Sequence, residues 1–234
     1  MKSLLLVTTM AITSQFAQAD STATSINAID TAANHMDVKS LQSLTQQGGD
    51  YLQAYAGYRL AISANILGQR ELAMSALESA KDTLEPLTAS SADADNLALL
   101  SSVYGMLIGL DNSKGAVYGA KAGAAITQAK ALDPSNPRVL LVQAITAFNT
   151  PEMYGGSKQR AVDLSSKAIE LYTIPCDNIC WGHAEAYTWR GLAKQNLGDV
   201  DGAIADWQQA LVIENDYSWA QFLLQQNSQS AKRQ

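Results

Sequence analysis

The sequence predicts an all-α fold, a solenoid of about four helix pairs with capping helices at its ends. Alanine accounts for 37 of the 234 residues and proline for only 5. Alanine has the highest intrinsic helix propensity, and proline is excluded from helix interiors. A pattern of small and large apolar residues at helical spacing recurs between residues 50 and 216, the self-similarity expected of a repeat architecture. The 47% hydrophobic content supplies a sizeable core and excludes wholesale disorder.

Residues 1–19 read as a signal peptide. Lys2 is the positive n-region, Ser3 to Thr13 the apolar stretch, and Ala17-Gln18-Ala19 the small-x-small cleavage site. Cleavage is expected after Ala19, which would place the mature protein in the periplasm or outside the cell. The apolar run is shorter than the roughly 20 residues that span a bilayer, so no membrane span is expected. The formal net charge of −6 and sequence pI near 4.8 argue against a nucleic-acid partner, which would require a basic stripe.

Residues 20–49 carry one or two short helices that cap the N-terminal end. Helix pairs follow at about 50–86, 92–132, 137–173 and 183–214. Residues 217–234 form a capping helix and tail, with Trp219, Ala220, Leu223 and Leu224 at helical spacing. Repeat arrays require such terminal caps for solubility.

The clearest unit runs from Ala184 to Asp216. Gly191 is small where two helices approach, Gly198 can take positive φ to close the first helix, and Asp199 can cap the second. Ala203, Trp207 and Ala210 share one face. Ala73-Leu77-Ala80, Ala122-Ile126-Ala129 and Ala161-Leu164-Ala168 echo them upstream, at intervals of 49, 39 and 42 residues. These residues resemble a tetratricopeptide repeat (TPR), whose unit is about 34 residues, with lengthened connections. The resemblance implies a right-handed superhelical solenoid with a concave face lined by the first helix of each pair.

On that placement the candidate binding residues are Tyr55, Tyr58 and Asn65 from the first pair and Tyr104 from the second. Arg138, with Leu141 and Ile145, represents the third pair, and Glu185, Thr188 and Gln195 the fourth. Tyrosine, arginine and amides combine contact area with directed hydrogen bonds. Tyr154 joins them from the segment Phe148 to Ser157, where Pro151 and Gly155-Gly156 replace a short turn. That segment is either a structural loop packing Met153 and Tyr154 on the array or a binding loop at the groove's edge. With Trp181-Gly182, it is similar to a group of exported bacterial TPR proteins, a likeness that implies fold and carries no activity. Gly115, Gly119 and Gly123 suggest close helix packing.

Cys176 and Cys180 are the only cysteines. In an exported chain a close pair reads as a disulfide; free thiols and a metal or redox site are the alternatives. His183 is near, but the only other histidine is His35, too few ligands for a usual zinc site. No nucleophile elbow, zinc-protease, Walker or dinucleotide motif is present. The expectation is therefore a non-enzymatic protein without cofactor or metal, binding a protein or peptide in the cell envelope. The alternative is a small-ligand-binding accessory protein, for example to a transport system. A redox protein using the two cysteines is a third reading.

Overall fold

The computed structural model describes residues 22–176 and 178–231. The expected signal peptide and its cleavage site lie outside the described residues. Helix α1 covers 22–34. It is followed by α2 (Val38–Leu44), α3 (Asp50–Ile66), α4 (Arg70–Ser90), α5 (Ala94–Leu110), α6 (Gly115–Leu132), α7 (Pro137–Asn149), α8 (Lys158–Tyr172), α9 (His183–Asn196), α10 (Val200–Ile213) and α11 (Ser218–Ala231). There is no strand, and no helix long and apolar enough to cross a membrane, among the described residues.

The four expected pairs are α3/α4, α5/α6, α7/α8 and α9/α10, each an antiparallel hairpin packed on the next. The caps follow from sequence. Asp93, Asn136, Ser157 and Asp199 accept backbone N–H bonds at the starts of α5, α7, α8 and α10, relieving donors that a helix start leaves unpaired. Gly198 ends α9 at φ 91°, a conformation that favours glycine. One boundary differs from expectation: α4 continues through Pro86 to Ser90, where the Thr88 hydroxyl bonds the carbonyls of Leu84 and Glu85.

The repeated alanines are the contact surfaces between paired helices. Ala73, Ala80, Ala129, Ala161, Ala168, Ala203 and Ala210 are all buried, as are Leu77 and Trp207 between them. A Cβ on Gly191 would stand 2.5 Å from Trp207 Nε1 and 3.0 Å from the Ala203 carbonyl oxygen. This is the close approach that the sequence anticipates at that glycine. The ladder at Gly115, Gly119 and Gly123 behaves differently. Gly119 and Gly123 are exposed, with open space where a Cβ would be, because α6 turns that face outward and packs through Ala125, Ile126 and Ala129.

Three aromatic side chains tie the first helices of the last two pairs to each other and to the capping helix α11. Phe148 of α7 meets Trp189 of α9 edge-on at 5.2 Å, and Trp189 meets Trp219 of α11 at 5.0 Å. The Cys176–Cys180 disulfide closes the loop before α9, with a Cα separation of 5.6 Å. Beside it the Arg138 guanidinium donates to Asp95 of α5 and, at 2.6 Å, to the Ile179 carbonyl. Ile179 is thus held by a protein contact as well as by its neighbour's covalent link.

Gly191→Ala should lower stability by about 1–2 kcal/mol. Overpacking costs about 1–3 kcal/mol, and alanine's better helix propensity offsets up to about 1; denaturant midpoints measure the difference. Cys176→Ser with Cys180→Ser should cost up to about 2 kcal/mol, because so short a loop adds little chain entropy on opening. Helix content by circular dichroism should stay unchanged in that variant.

Candidate functional site

The sequence of α1 places Ile26, Asp30 and Asn34 in one row, with Ile29 and Ala33 beside them, since helical residues four and three apart are neighbours. That face is buried, Ile26 and Ile29 to 1% exposure. Asp30 accepts a hydrogen bond from the Tyr55 hydroxyl at 2.5 Å and lies 3.6 Å from Arg59 Nε, both on α3. At the other end, Asn34 Nδ2 donates to Glu214 Oε1 at 2.6 Å and to Asp216 at 3.4 Å, in the linker after α10. One helix therefore reaches from the first hairpin to the end of the fourth.

Beneath α1 the first and fourth pairs also meet directly. Arg59 Nη1 of α3 lies 4.0 Å from Glu185 Oε2 of α9. Trp181 Nε1 donates to the Tyr51 hydroxyl at 2.8 Å, and its ring stacks on Tyr55 at 5.2 Å. The array curls until its inner helices touch, and α1 lies along the inside of the curve.

This arrangement decides the fate of the sequence-predicted binding residues. Tyr55, Tyr58, Arg138, Glu185 and Thr188 are not lining an open groove. Tyr55 and Thr188 are fully buried, Tyr58 and Glu185 nearly so, and the Arg138 side chain is 11% exposed against Asp95. Thr188 donates to the carbonyl of Ala184 in its own helix. Tyr55, Tyr58 and Glu185 come together around Arg59. Asn65 and Gln195 sit near the far ends of α3 and α9, exposed and half-buried. Tyr104 faces α4 and α6, donating to Glu85 at 2.6 Å and stacking on Tyr118. Arg59, Asp30, Asn34 and Glu214 complete the inner cluster and were not singled out by sequence. The one legible sign was Arg59 itself, a lone cation in a helix otherwise rich in alanine and tyrosine.

Of the two readings of the Phe148–Ser157 segment, the packing of Met153 and Tyr154 on the array does not hold. They are 80% and 74% exposed on a short turn over Glu152–Tyr154. The turn's backbone is nevertheless well bonded. Tyr154 N and Gly156 N donate to the Pro151 carbonyl at 2.9 and 3.1 Å, and Ser157 N reaches Ala147 O at 2.8 Å. Gly155 takes φ 88°, and a Cβ on Gly156 would strike the Thr150 carbonyl. This glycine pair is what allows so tight a turn to lift its two side chains into solvent. His183 is stacked between Tyr172 and Tyr187 at 5.2 and 5.6 Å, and burial pushes its pKa down. No group of three or more His, Cys, Asp or Glu side chains suited to a metal exists among the described residues.

The inner cluster holds more acid than base. Burial holds the Asp30 carboxyl above its ordinary pKa, against the lowering effect of Arg59 and the Tyr55 hydrogen bond. Burial likewise raises Glu185 and Glu214, with Asp30 adding to the effect at Glu214. A carboxyl that holds its proton more tightly when folded contributes stability that is full below the ordinary carboxylate pKa and lost as pH rises through the raised value. Asp37, Glu78, Glu85 and Asp111 are shifted down by hydrogen bonds and contribute in the opposite sense, losing stability as pH falls below the ordinary range. The raised carboxyls should therefore raise the melting temperature as pH falls from neutral toward the ordinary carboxylate range, with half-buried His183 opposing them below its ordinary pKa, and the melting temperature should fall below about pH 4. Glu185→Gln combined with Glu214→Gln should flatten the rise; an unchanged slope would show that these carboxyls are not its source.

No family model matches the chain, and no curated protein matches it. Solved structures do. One is the HusA haemophore from Porphyromonas gingivalis, 21% identical, with a TM-score of 0.60 over 76% of this chain and 94% of that one. Another is the APC/C hetero-tetramer Cut9-Hcn1, 20% identical, with a TM-score of 0.50 over 88% of this chain and 34% of that one. Identity at this level speaks for architecture and not for activity. Together with the alanine–glycine contacts within the hairpins, these likenesses establish that the chain is a TPR-like helical-repeat solenoid.

Proposed function

We propose that the chain is a non-enzymatic binding module of the cell envelope, and that it recognises a protein or peptide through the Met153–Tyr154 turn. The observation that carries this reading is the exposure of two large apolar side chains on a backbone fixed by its own hydrogen bonds. Tyrosine is enriched among the residues that dominate interface energies. A backbone already held in place loses little freedom on binding, which favours affinity. Lys158 reinforces the base of the turn, donating to the Phe148 carbonyl and lying 3.7 Å from the centre of its ring. The leader-like residues 1–19 and the disulfide support the envelope setting.

A photo-cross-linking amino acid at position 154, introduced in the organism of origin, tests this reading. A discrete adduct is expected from position 154 and not from exposed Val117 on α6. No adduct, or the same adduct from both positions, would overturn it. With the captured partner in hand, Met153→Ser and Tyr154→Ser should each weaken binding at least tenfold while the melting temperature stays within about 2 °C, as surface changes generally do.

A second reading is favoured by the likeness to nearly the whole of a haemophore. Methionine and tyrosine are both side chains that ligate haem iron, and Met153 and Tyr154 stand exposed side by side. Titration with haemin should then shift the Soret band, and Tyr154→Phe should alter that shift. A spectrum identical to free haemin would exclude this reading and leave the first intact.

A further inference from the structure

We infer that α1 is an exchangeable occupant of a helix-binding groove on the inner face of the array. The external ligand of that groove is an amphipathic helix with two large aliphatic residues three apart and a carboxylate directly after the second.

The template for this ligand is α1 itself. Ile26 and Ile29 are its large buried anchors, and Ala32 and Ala33 complete the apolar row. Asp30, directly after Ile29, supplies the carboxylate that meets Tyr55 and Arg59. The groove is not chemically saturated by this resident. Arg59 Nε and Glu185 Oε2 are buried without a hydrogen-bond partner, and the Arg59 guanidinium stands 3.6 and 4.0 Å from its two carboxylates, beyond hydrogen-bond length. A helix whose carboxylate approached Arg59 squarely would satisfy a donor that α1 leaves open.

Three features make departure of α1 feasible. Its connection to α2 is residues 35–37, where Met36 has φ 53°, the one non-glycine positive φ among the described residues. That conformation is costly for a methionine and is relieved when the link is free. Helix α2 keeps its own hold, since Leu41 is fully buried and α2 packs directly on α3. The core between α5, α6 and α7 and the core around Trp207 contain no residue of α1, while its Ile26, Ile29, Ala32 and Ala33 belong to the main core, so departure is expected to open the inner face and leave those two cores packed.

The test uses the full chain with a protease site inserted after His35 and a labelled synthetic peptide of residues 22–36. After cleavage, native mass spectrometry and fluorescence anisotropy should show α1 replaced by the peptide. Binding to the uncut chain should be at least tenfold weaker, as should binding of a peptide carrying Ile29→Asp to the cut chain. Arg59→Leu in the cut chain should weaken uptake at least fivefold. Retention of α1 against excess peptide, or its release without uptake of peptide, would overturn the inference. Unfolding on cleavage, read by circular dichroism, would overturn it as well by making α1 integral to the fold. An uncut chain carrying Ile26→Asp and Ile29→Asp provides the independent check, and should take up the wild-type peptide while keeping the helix content of α2–α11. Exchange of α1 between two uncut chains into a dimer would show instead that the groove's occupant is a second copy.

Discussion

Arg59 stands between Asp30 of α1 and Glu185 of α9, and the inner face is organised by that position. A guanidinium buried on α3 is sustainable only with carboxylates near it, because removing a charge from water is expensive unless it is compensated. The carboxylates arrive from two directions in the chain, one from the N-terminal helix and one from the fourth hairpin. They come from segments more than 120 residues apart in sequence and meet around a single cation. The same arithmetic leaves a surplus of acid, since Glu214 joins the cluster through Asn34. The surplus is accommodated by carboxyls that hold their protons more tightly than in water, which makes the closure of the array responsive to acidity.

Closure has a structural consequence for recognition. In a solenoid of this kind the concave face is ordinarily the extended binding surface. Here α3 and α9 touch, and α1 covers what remains. The described surface therefore offers its most prominent apolar contact elsewhere, on the turn between α7 and α8. That turn departs from a short repeat connection at little cost to the array. Its neighbours α7 and α8 remain paired through Ala147, Ala161 and Leu164, so two side chains are projected from a rigid base.

The hairpins were legible in the sequence because local chemistry repeats. Gly191 opposite Trp207, the alanine pairs seven residues apart, and the cap Asp199 each act over short range, and a short-range rule can be read from spacing. The inner cluster was not legible in that way. Nothing local to Tyr55 or Glu185 distinguishes an exposed groove residue from one covered by a distant helix. The difference lies in α1, whose Asp30 and Asn34 contact residues 25 and 180 positions away. The loop at Met153 was half legible. Proline and the glycine pair marked a special turn, while the direction its side chains take depends on how α7 and α8 splay around it. Gly119 and Gly123 show the reverse error, a packing motif that the orientation of α6 leaves in solvent.

The account rests most heavily on α1 as a docked but separable element, and amide hydrogen exchange on the intact protein tests that most directly. Peptides covering 22–34 should be protected, and should exchange together through an opening that leaves the inner helices α3, α5, α7 and α9 still protected, as a cooperative local unit does. Exchange of 22–34 only at the rate of global unfolding would contradict the account, because α1 would then be inseparable from the fold. Immediate exchange throughout 22–34 would contradict it from the other side, because the inner face would then stand open.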